Sequence, residues 1–427
     1  MGKLSAMTVA DGSRTTGQGV PNPIKPWFWT RSEAEVDADL ATLRSLGPQF
    51  LPEPEVPEDS ILKSGPGAFV ITSHDQILEA SRHPEVFSSA GGITVLDTPP
   101  EFNEFFSSMI AMDDPRHARL RRIVSRGFTP RMMERLEGAV TEVAAAIVDR
   151  VADAETVDFV VDVAAALPLK IVCDLMGIPD SHYEFVFDRT NIILGVSDPE
   201  FTPADGDIIS ALLNAGADLA GLMTDVAADK RGGDGSDLTS QLVNADLGDD
   251  ELTDSDLASF FILLVVAGNE TTRNAISWGM KYLTDNPEQR RIWQSDFETV
   301  APTAVEEIVR LASPVTYMRR TLLTEYTLGG VNMEPGDKVL LNYLAANRDP
   351  AVFTDPLTFD VRRDPNPHVG FGGPGPHFCL GAHLARREIT VMFRELFRRV
   401  PNIEASGPPD LLEANFIHGI KHMQATI

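Results

Sequence analysis

The longest hydrophobic pattern in the chain runs from Leu252 to Leu283 and predicts one long helix. Asp254 or Ser255 can cap its start, and no proline intervenes before Pro287. Within it, Phe260 to Ala267 is apolar at every position, the pattern of a helix buried on all sides. The pattern then breaks. Gly268-Asn-Glu-Thr-Thr-Arg273 puts a glycine and polar side chains into the middle of a buried helix. Glycine there costs about 1 kcal/mol relative to alanine, and sequences tolerate such local conflicts chiefly at functional sites. A second reading of the same turn is a kink in which the Thr271 hydroxyl bonds its own preceding carbonyl.

Other stretches repeat the helical period. Leu167 to Met176 is an apolar run that takes Cys173 into the core as a small residue. In the run Asp114 to Arg126, Pro115 can open a helix. His117 and Arg121 then stand one turn apart on one face, while Arg119, Arg122 and Arg126 project to the other side. Arg310 lies at i+3 from Glu307 and i+4 from Glu306, and either spacing faces one helical side. Such a pair is ordinarily a modest surface salt bridge. Leu328 to Leu340, with its Gly-Gly and Pro-Gly turns, predicts a hairpin. The expected fold class is mainly α with small β-sheets.

Length and charge narrow the picture. A chain of 427 residues, 43% hydrophobic and 23% charged, has room for a large core, and length alone suggests two or three domains. No internal repeat or long low-complexity linker marks a boundary, so residues 26–427 are read as a single domain behind a flexible, polar, Gly- and Pro-rich segment 1–25. That segment lacks the basic start and apolar core of a signal peptide or anchor, and no apolar run is long enough to span a bilayer. The protein is expected to be cytoplasmic, without a membrane anchor, and monomeric. A net charge of −27 argues against nucleic acid as a partner. The six arginines from Arg116 to Arg131 are a local exception.

The candidate chemistry centres on Phe371-Gly-Gly-Pro-Gly-Pro-His-Phe-Cys379-Leu-Gly-Ala-His-Leu-Ala-Arg386. This irregular loop delivers one thiol to the start of an apolar helical stretch, where backbone N–H groups and the helix dipole favour a thiolate. A thiolate so placed is a soft anionic ligand for iron. A surface turn with an inert cysteine, or a zinc knuckle, are the other readings. Zinc would need three or four Cys/His ligands in recognisable pairs, and no Cys-x-x-Cys occurs.

The loop resembles the haem-ligand signature of the cytochrome P-450 superfamily, with Phe371, Gly375, His377, Cys379, Gly381 and Ala385 on the matching positions. Phe371 stands one position further from the cysteine than in the commonest version, and Gly373-Pro374-Gly375 carries the extra residue. The longer loop is similar to that of bacterial enzymes hydroxylating methyl-branched lipids and sterol side chains. Phe260 to Ile276, Ala301 to Arg320, Asn366 to Arg387, Phe416 to Lys421 and Met112 to Phe128 resemble the methyl-branched lipid omega-hydroxylases.

That resemblance implies the P-450 fold, with haem b between the long central helix and the cysteine loop and Cys379 as the axial ligand of its iron. Ala267 to Thr272 resembles the oxygen-activating segment, implying that Thr271 hydrogen-bonds dioxygen or an ordered water and Glu270 relays protons beside Gly268. The thiolate favours O–O cleavage by donating electron density. The family's Glu-x-x-Arg motif selects Glu307 with Arg310, and the segment from Phe353 to Arg363 supplies a third member, Arg363. His117, Arg121, Arg320 and His377 are implied to bind the haem propionates, which need cationic or hydrogen-bonding partners. Arg119, Arg122 and Arg126, extended by Arg386 and Arg387, would then face an electron donor. With no flavin or iron–sulfur module in the sequence, that donor is expected to be an acidic ferredoxin, served by a ferredoxin reductase.

Substrate contacts are expected from the apolar, Gly- and Pro-punctuated segment Gly91 to Ile110, read as a partly mobile loop over a greasy cavity. Ile93, Phe105, Phe106 and Ile110 are its candidates. Leu194 and Phe201 form a second lid element, and Val266, Val315 and Phe416 complete the set. The resemblance implies hydroxylation of a terminal methyl on a branched lipid, isoprenoid or sterol side chain. Alternatives are a steroid or terpenoid hydroxylase of other regiochemistry, and a haem-thiolate binding or sensor protein without turnover.

Overall fold

A computed structural model of the chain describes residues 19–56, 61–127, 130–194, 198, 200, 208–244 and 252–427. Helices carry the architecture. In chain order they are α1 (Glu33–Leu46), α2 (His74–Arg82), α3 (Pro100–Ser107), α4 (Arg116–Gly127), α5 (Pro130–Val151), α6 (Ala166–Met176) and α7 (Tyr183–Leu194). They continue as α8 (Ile208–Lys230), α9 (Leu238–Val243), α10 (Asp254–Asp285), α11 (Pro287–Ser295), α12 (Phe297–Ala312), α13 (Tyr343–Ala346) and α14 (Ala382–Arg399). Among the described residues no helix is long and apolar enough to cross a membrane.

The central helix α10 begins at Asp254, and its cap is Thr253 rather than Asp254 or Ser255. The reason is reciprocal bonding. The Asp256 N–H donates to Thr253 Oγ1 at 3.0 Å, and the Thr253 N–H donates to Asp256 Oδ2 at 3.1 Å, which satisfies two otherwise orphaned donors. Helices α6, α8, α12 and α14 pack around α10, and Phe261, Ile262, Val265 and Ile276 are buried in the cluster they form.

The strands are β1 (Gln49–Leu51), β2 (Ala68–Ile71), β3 (Phe87–Ser88), β4 (Thr156–Asp158), β5 (Tyr317–Leu322), β6 (Tyr326–Leu328), β7 (Val331–Met333), β8 (Lys338–Asn342), β9 (Glu404–Ala405), β10 (Asp410–Leu411), β11 (Ile420–His422) and β12 (Gln424–Thr426). A five-stranded sheet has the order β1-β2-β8-β5-β3. The predicted hairpin is shorter than Leu328 to Leu340. Only β6 and β7 pair in it, turned by Gly329 and Gly330 at φ +56° and +80°, as a primed turn requires. Every residue of β8 is buried, so this strand sits inside the five-stranded sheet, pairing with β5 and parallel to β2.

Two adjacent glutamates on α12 tie this frame to the cysteine loop. Glu307 and Arg310 are both fully buried. Arg310 donates from Nε to Glu307 Oε2 at 2.7 Å and from Nη2 to Oε1 at 2.8 Å. Arg363 Nε lies 3.0 Å from Oε1, the Asp360 N–H 3.0 Å from the same oxygen, and Asn366 Nδ2 3.1 Å from Oε2. Arg310 also donates to the carbonyls of Asn347 and Pro356 at 2.8 and 2.6 Å. The carboxylate of Glu307 thereby fastens α12 to the irregular segment 353–366. Glu306 turns elsewhere. Its carboxylate accepts from His368 Nε2 at 2.8 Å and from Arg386 Nη2 at 2.9 Å, gripping residues that flank the cysteine loop. Burial alone would raise its pKa, but the hydrogen bonds from His368 and Arg386 prevail and bring it down to about 2.

Arg310→Ala leaves the Glu307 charge buried with only part of its partners, at an expected cost of about 3–5 kcal/mol. Thermal unfolding checks this, and a melting temperature within about 2 °C of the parent would count against the role. For Glu306, folded-state depression means its contribution is fully present above the ordinary carboxylate range and lost as pH falls through about 2. Denaturant unfolding between about pH 5 and pH 2 should accordingly fall less steeply for Glu306→Gln than for the parent; parallel profiles would exclude the clamp.

Candidate active site

Between Leu257 and Met280 the side chains of α10 are buried except in one place: Leu264, Val266, Gly268 and Thr271 are half-buried and Ala267 is exposed. Leu264, Ala267, Gly268 and Thr271 follow the i, i+3, i+4, i+7 spacing of a single helix face. A core helix that opens along one stripe leaves that face free for another group. Thr271 Oγ1 donates to the Ala267 carbonyl at 2.7 Å, so the hydroxyl both bonds its own helix and sits on the open stripe. Gly268 serves packing as well, since a Cβ there would stand 3.0 Å from Val172 Cγ2 on α6. Glu270 is 1% exposed. Its Oε1 accepts from Arg273 and, at 2.8 Å, from Asn274 Nδ2.

The cysteine loop presses against α2. Gly375 has φ +149°, and a Cβ on it would come 2.4 Å from the Ser81 carbonyl oxygen; one on Gly373 would come equally close to Ser81 Oγ. The stretch that carries the extra residue thus has a glycine on each side of Pro374 where a side chain would collide with α2. The Cys379 N–H donates to the Phe371 carbonyl at 3.0 Å, which folds the loop back on itself. The thiol is reachable from solvent yet set deep among protein atoms. Burial raises its pKa, opposed by the Gly381 backbone N–H and by the charges of Arg121 and Arg386. At Cys173 burial, reinforced by the Asp174 charge, outweighs the opposing charge of Lys170 and pushes the thiol up to about 12.

Beside the thiol the structure gathers four of the expected side chains. Arg121 Nη2 donates to the Phe378 carbonyl at 2.5 Å. The His117 and His377 rings lie 4.2 Å apart between centroids. Burial, then the charges of Arg320, His117 and Arg121, bring His377 down to about 3. His117 Nδ1 meets Asp114 at 3.2 Å, which orients its ring. Arg320, 8% exposed, bonds the Arg319 carbonyl at 2.8 Å. Neither Arg121 nor Arg320 pairs with a carboxylate among the described residues. A buried guanidinium without an anion is costly, on the order of several kcal/mol. One reachable thiol next to cations that lack anions is the donor set haem requires, from an axial sulfur to its carboxylates, so the residues fit the cofactor.

The candidate substrate residues sit on several separate elements. Expectation and structure differ over Gly91 to Asp97, which is not a loose loop. The Arg319 N–H donates to the Ile93 carbonyl at 2.9 Å, Lys338 Nζ to the Val95 carbonyl at 2.9 Å, and Lys63 exchanges two 2.8 Å backbone bonds with Asp97. Lys338 Nζ also holds Glu53 at 2.8 Å and Asp97 at 2.8 Å, and Arg319 Nη1 holds Asp97 at 2.8 Å. Against the opposing effect of burial, Lys338 and Arg319 keep the Asp97 carboxyl below its usual range. Sequence reading missed this clasp because its members are scattered from residue 53 to residue 338. Phe105 and Phe106, on α3, meet edge to face at 4.9 Å under Gly216 of α8, where a Cβ would stand 2.7 Å from the Phe105 ring. Ile110 and Phe416 are half-buried, and Val315 bridges to Ile417 beside Phe416. Val266 belongs to the open stretch of α10.

Phe201 and the side chains of Leu194 and Arg126 lie outside the described residues. On α4, Arg122 is exposed and Arg119 half-buried. Arg386 departs from the expected docking face: it is committed to Glu306 and stacks 4.3 Å over the Phe371 ring. Arg387 pairs with Glu137 at 2.8 Å.

Known proteins resemble the chain over most of its length. The family described as Cytochrome P-450 matches residues 221–418. A methyl-branched lipid omega-hydroxylase of Mycobacterium tuberculosis (strain H37Rv) is 49% identical over 403 residues, covering 93% of this chain and 92% of the relative. A steroid C26-monooxygenase of the same organism is 37% identical, covering 91% and 88%. A Mycobacterium marinum cytochrome P-450 solved in complex with pseudoionone superposes with a TM-score of 0.88 at 40% identity, covering 94% of this chain and 97% of that one. The chain belongs to the cytochrome P-450 family of haem-thiolate monooxygenases.

Proposed function

We propose that the protein hydroxylates a terminal methyl C–H of a methyl-branched lipid, isoprenoid or sterol side chain, using dioxygen and electrons from a ferredoxin. The observation that carries this reading is the 49% identity, over 93% of the chain, to a methyl-branched lipid omega-hydroxylase. The apolar character of Phe105, Phe106, Val266, Val315 and Phe416 supports it. In this reading Cys379 ligates the iron, while His117, Arg121, Arg320 and His377 hold the propionates. In this reading the cofactor is haem b, held without the Cys-x-x-Cys-His attachment motif of c-type haem, which the sequence lacks. Bound haem supplies dioxygen activation and the oxidising power needed for an unactivated C–H bond.

The protein's own side chains do the rest. The Thr271 hydroxyl proton is engaged by the Ala267 carbonyl, which leaves the Oγ1 lone pairs to accept a hydrogen bond on the open stripe. Glu270 next to it passes protons inward. A primary C–H is intrinsically harder to attack than its secondary and tertiary neighbours, so a wall that holds the chain end in place decides the product. Arg122 and Arg119, on the side of α4 away from His117, form the docking face for an acidic ferredoxin. The protein works as a cytoplasmic monomer.

A panel of branched lipids and sterols should identify ligands that shift the Soret band to the blue. Product analysis with ferredoxin and its reductase should then find oxygen on the terminal methyl. Hydroxylation confined to ring or subterminal carbons would replace this reading with that of a steroid or terpenoid hydroxylase. In Thr271→Ala, reductant consumption should continue while hydroxylated product falls by about tenfold or more and peroxide accumulates; unchanged coupling of electrons to product would remove Thr271 from the proton path.

A further inference from the structure

The turn that carries Glu270 holds more buried polarity than it pairs. Asn269 is wholly buried, and neither atom of its side-chain amide has a hydrogen-bond partner among the described residues. Glu270 Oε2 and Arg273 Nε are buried and unpartnered too. Asn274 explains which Glu270 oxygen stays free: its Nδ2 and Arg273 occupy Oε1, and its own Oδ1 is fixed by the Ile420 N–H at 2.9 Å.

These groups are placed by helical spacing. Asn269 and Arg273 are four apart and share a face, and Glu270 is three from Arg273. Asn269 and Arg273 are each two residues from Thr271, and residues two apart do not face one another. Asn269 and Arg273 thus lie on the side of α10 away from the open stripe, and Glu270 stands between that side and Thr271.

Their chemistry selects the ligand. Glu270 Oε2 accepts, Arg273 Nε donates, and the Asn269 amide does both. The carboxylate disfavours an anion and the guanidinium disfavours a cation. A small neutral molecule that donates and accepts fits, and buried water takes two to four such partners. Arg273 retains 8% exposure, although its Nε is buried.

We propose that Asn269, Glu270 and Arg273 bind ordered water on the back of α10 and that this water reprotonates Glu270 after the carboxyl has passed its proton toward Thr271. The water gives one proton to Oε2, an O–H bond breaking and another forming, and takes a proton from solvent in return. Asn269 and Arg273 are positioning residues in this path. The inference rests on the proton-relay reading of Glu270, and one further variant separates the two.

The experiment compares the parent holoenzyme with Asn269→Leu, which keeps volume but removes the amide, and Asn269→Ala, which adds no bulk should leucine fit poorly. Haem content and spectral substrate affinity should stay within about twofold of the parent, while the share of electrons recovered as product falls about tenfold and the solvent deuterium isotope effect rises. A crystal structure of the parent should show ordered water within hydrogen-bond reach of Asn269 and Glu270 Oε2, absent in the variants. No water there, parent-like coupling, or a lowered melting temperature without peroxide formation overturns the proposal. Glu270→Gln is measured alongside. If it uncouples while both Asn269 variants do not, only the water site fails; if it leaves coupling untouched, the relay reading falls and the water's role with it.

Discussion

The fold depends on one desolvated charge. Glu307 is fully buried, and a buried carboxylate is tolerated only when its lone pairs are taken by strong donors. Here those donors come from Arg310 on its own helix and from Asp360, Arg363 and Asn366 on an irregular segment without helix or strand to define it. The charge therefore does what regular secondary structure does elsewhere: it fixes a stretch of backbone at one place against α12. Because Glu306 is its neighbour and points to His368 and Arg386, the same helix also fixes both flanks of the loop that carries Cys379. The position of the thiol is set from α12, through two adjacent carboxylates facing different ways.

The local electrostatics then run against the whole chain. The net charge is −27, yet Arg121 and Arg320 both stand near His377 without a carboxylate partner among the described residues, and burial, together with their charges, brings His377 down to about 3. Such an arrangement is poised for an anionic ligand, whose arrival would relieve both the buried guanidinium and the imidazole. The acidic surroundings make the complementary point. An anion drawn to this place is drawn by a few specific side chains, not by the overall field.

How much of this was legible in the sequence depends on whether the determining contacts are local. The long helix, its polar interruption and the cysteine loop were readable because each is written in consecutive residues. Glu306 and Glu307 show where local reading stops. Both stand at helical spacing from Arg310, and only the fold shows Glu307 taking the arginine while Glu306 reaches residues more than sixty positions away. The hairpin was overextended for the same reason: the turn residues mark Gly329 and Gly330 correctly, but the burial that puts β8 into the larger sheet comes from strands distant in sequence. Sequence alone puts Arg386 with the donor-facing arginines because nothing beside it in the chain reveals Glu306.

The clasp around Asp97 alters how selectivity should be understood. A mobile apolar cover would let a flexible lipid settle in several registers, and the weaker secondary and tertiary C–H bonds would then be attacked first. Instead, Ile93 and Val95 are held through their backbone carbonyls by Arg319 and Lys338, residues whose strands β5 and β8 are central to the five-stranded sheet. Arg320, the next residue along β5, faces the cation cluster beside Cys379. One strand therefore bears on both the groups proposed to hold the cofactor and the wall of the expected substrate cavity. The proposed attack at a primary carbon demands such coupling between them, since a shift of about 1 Å at the wall translates directly into a different carbon at the reacting position.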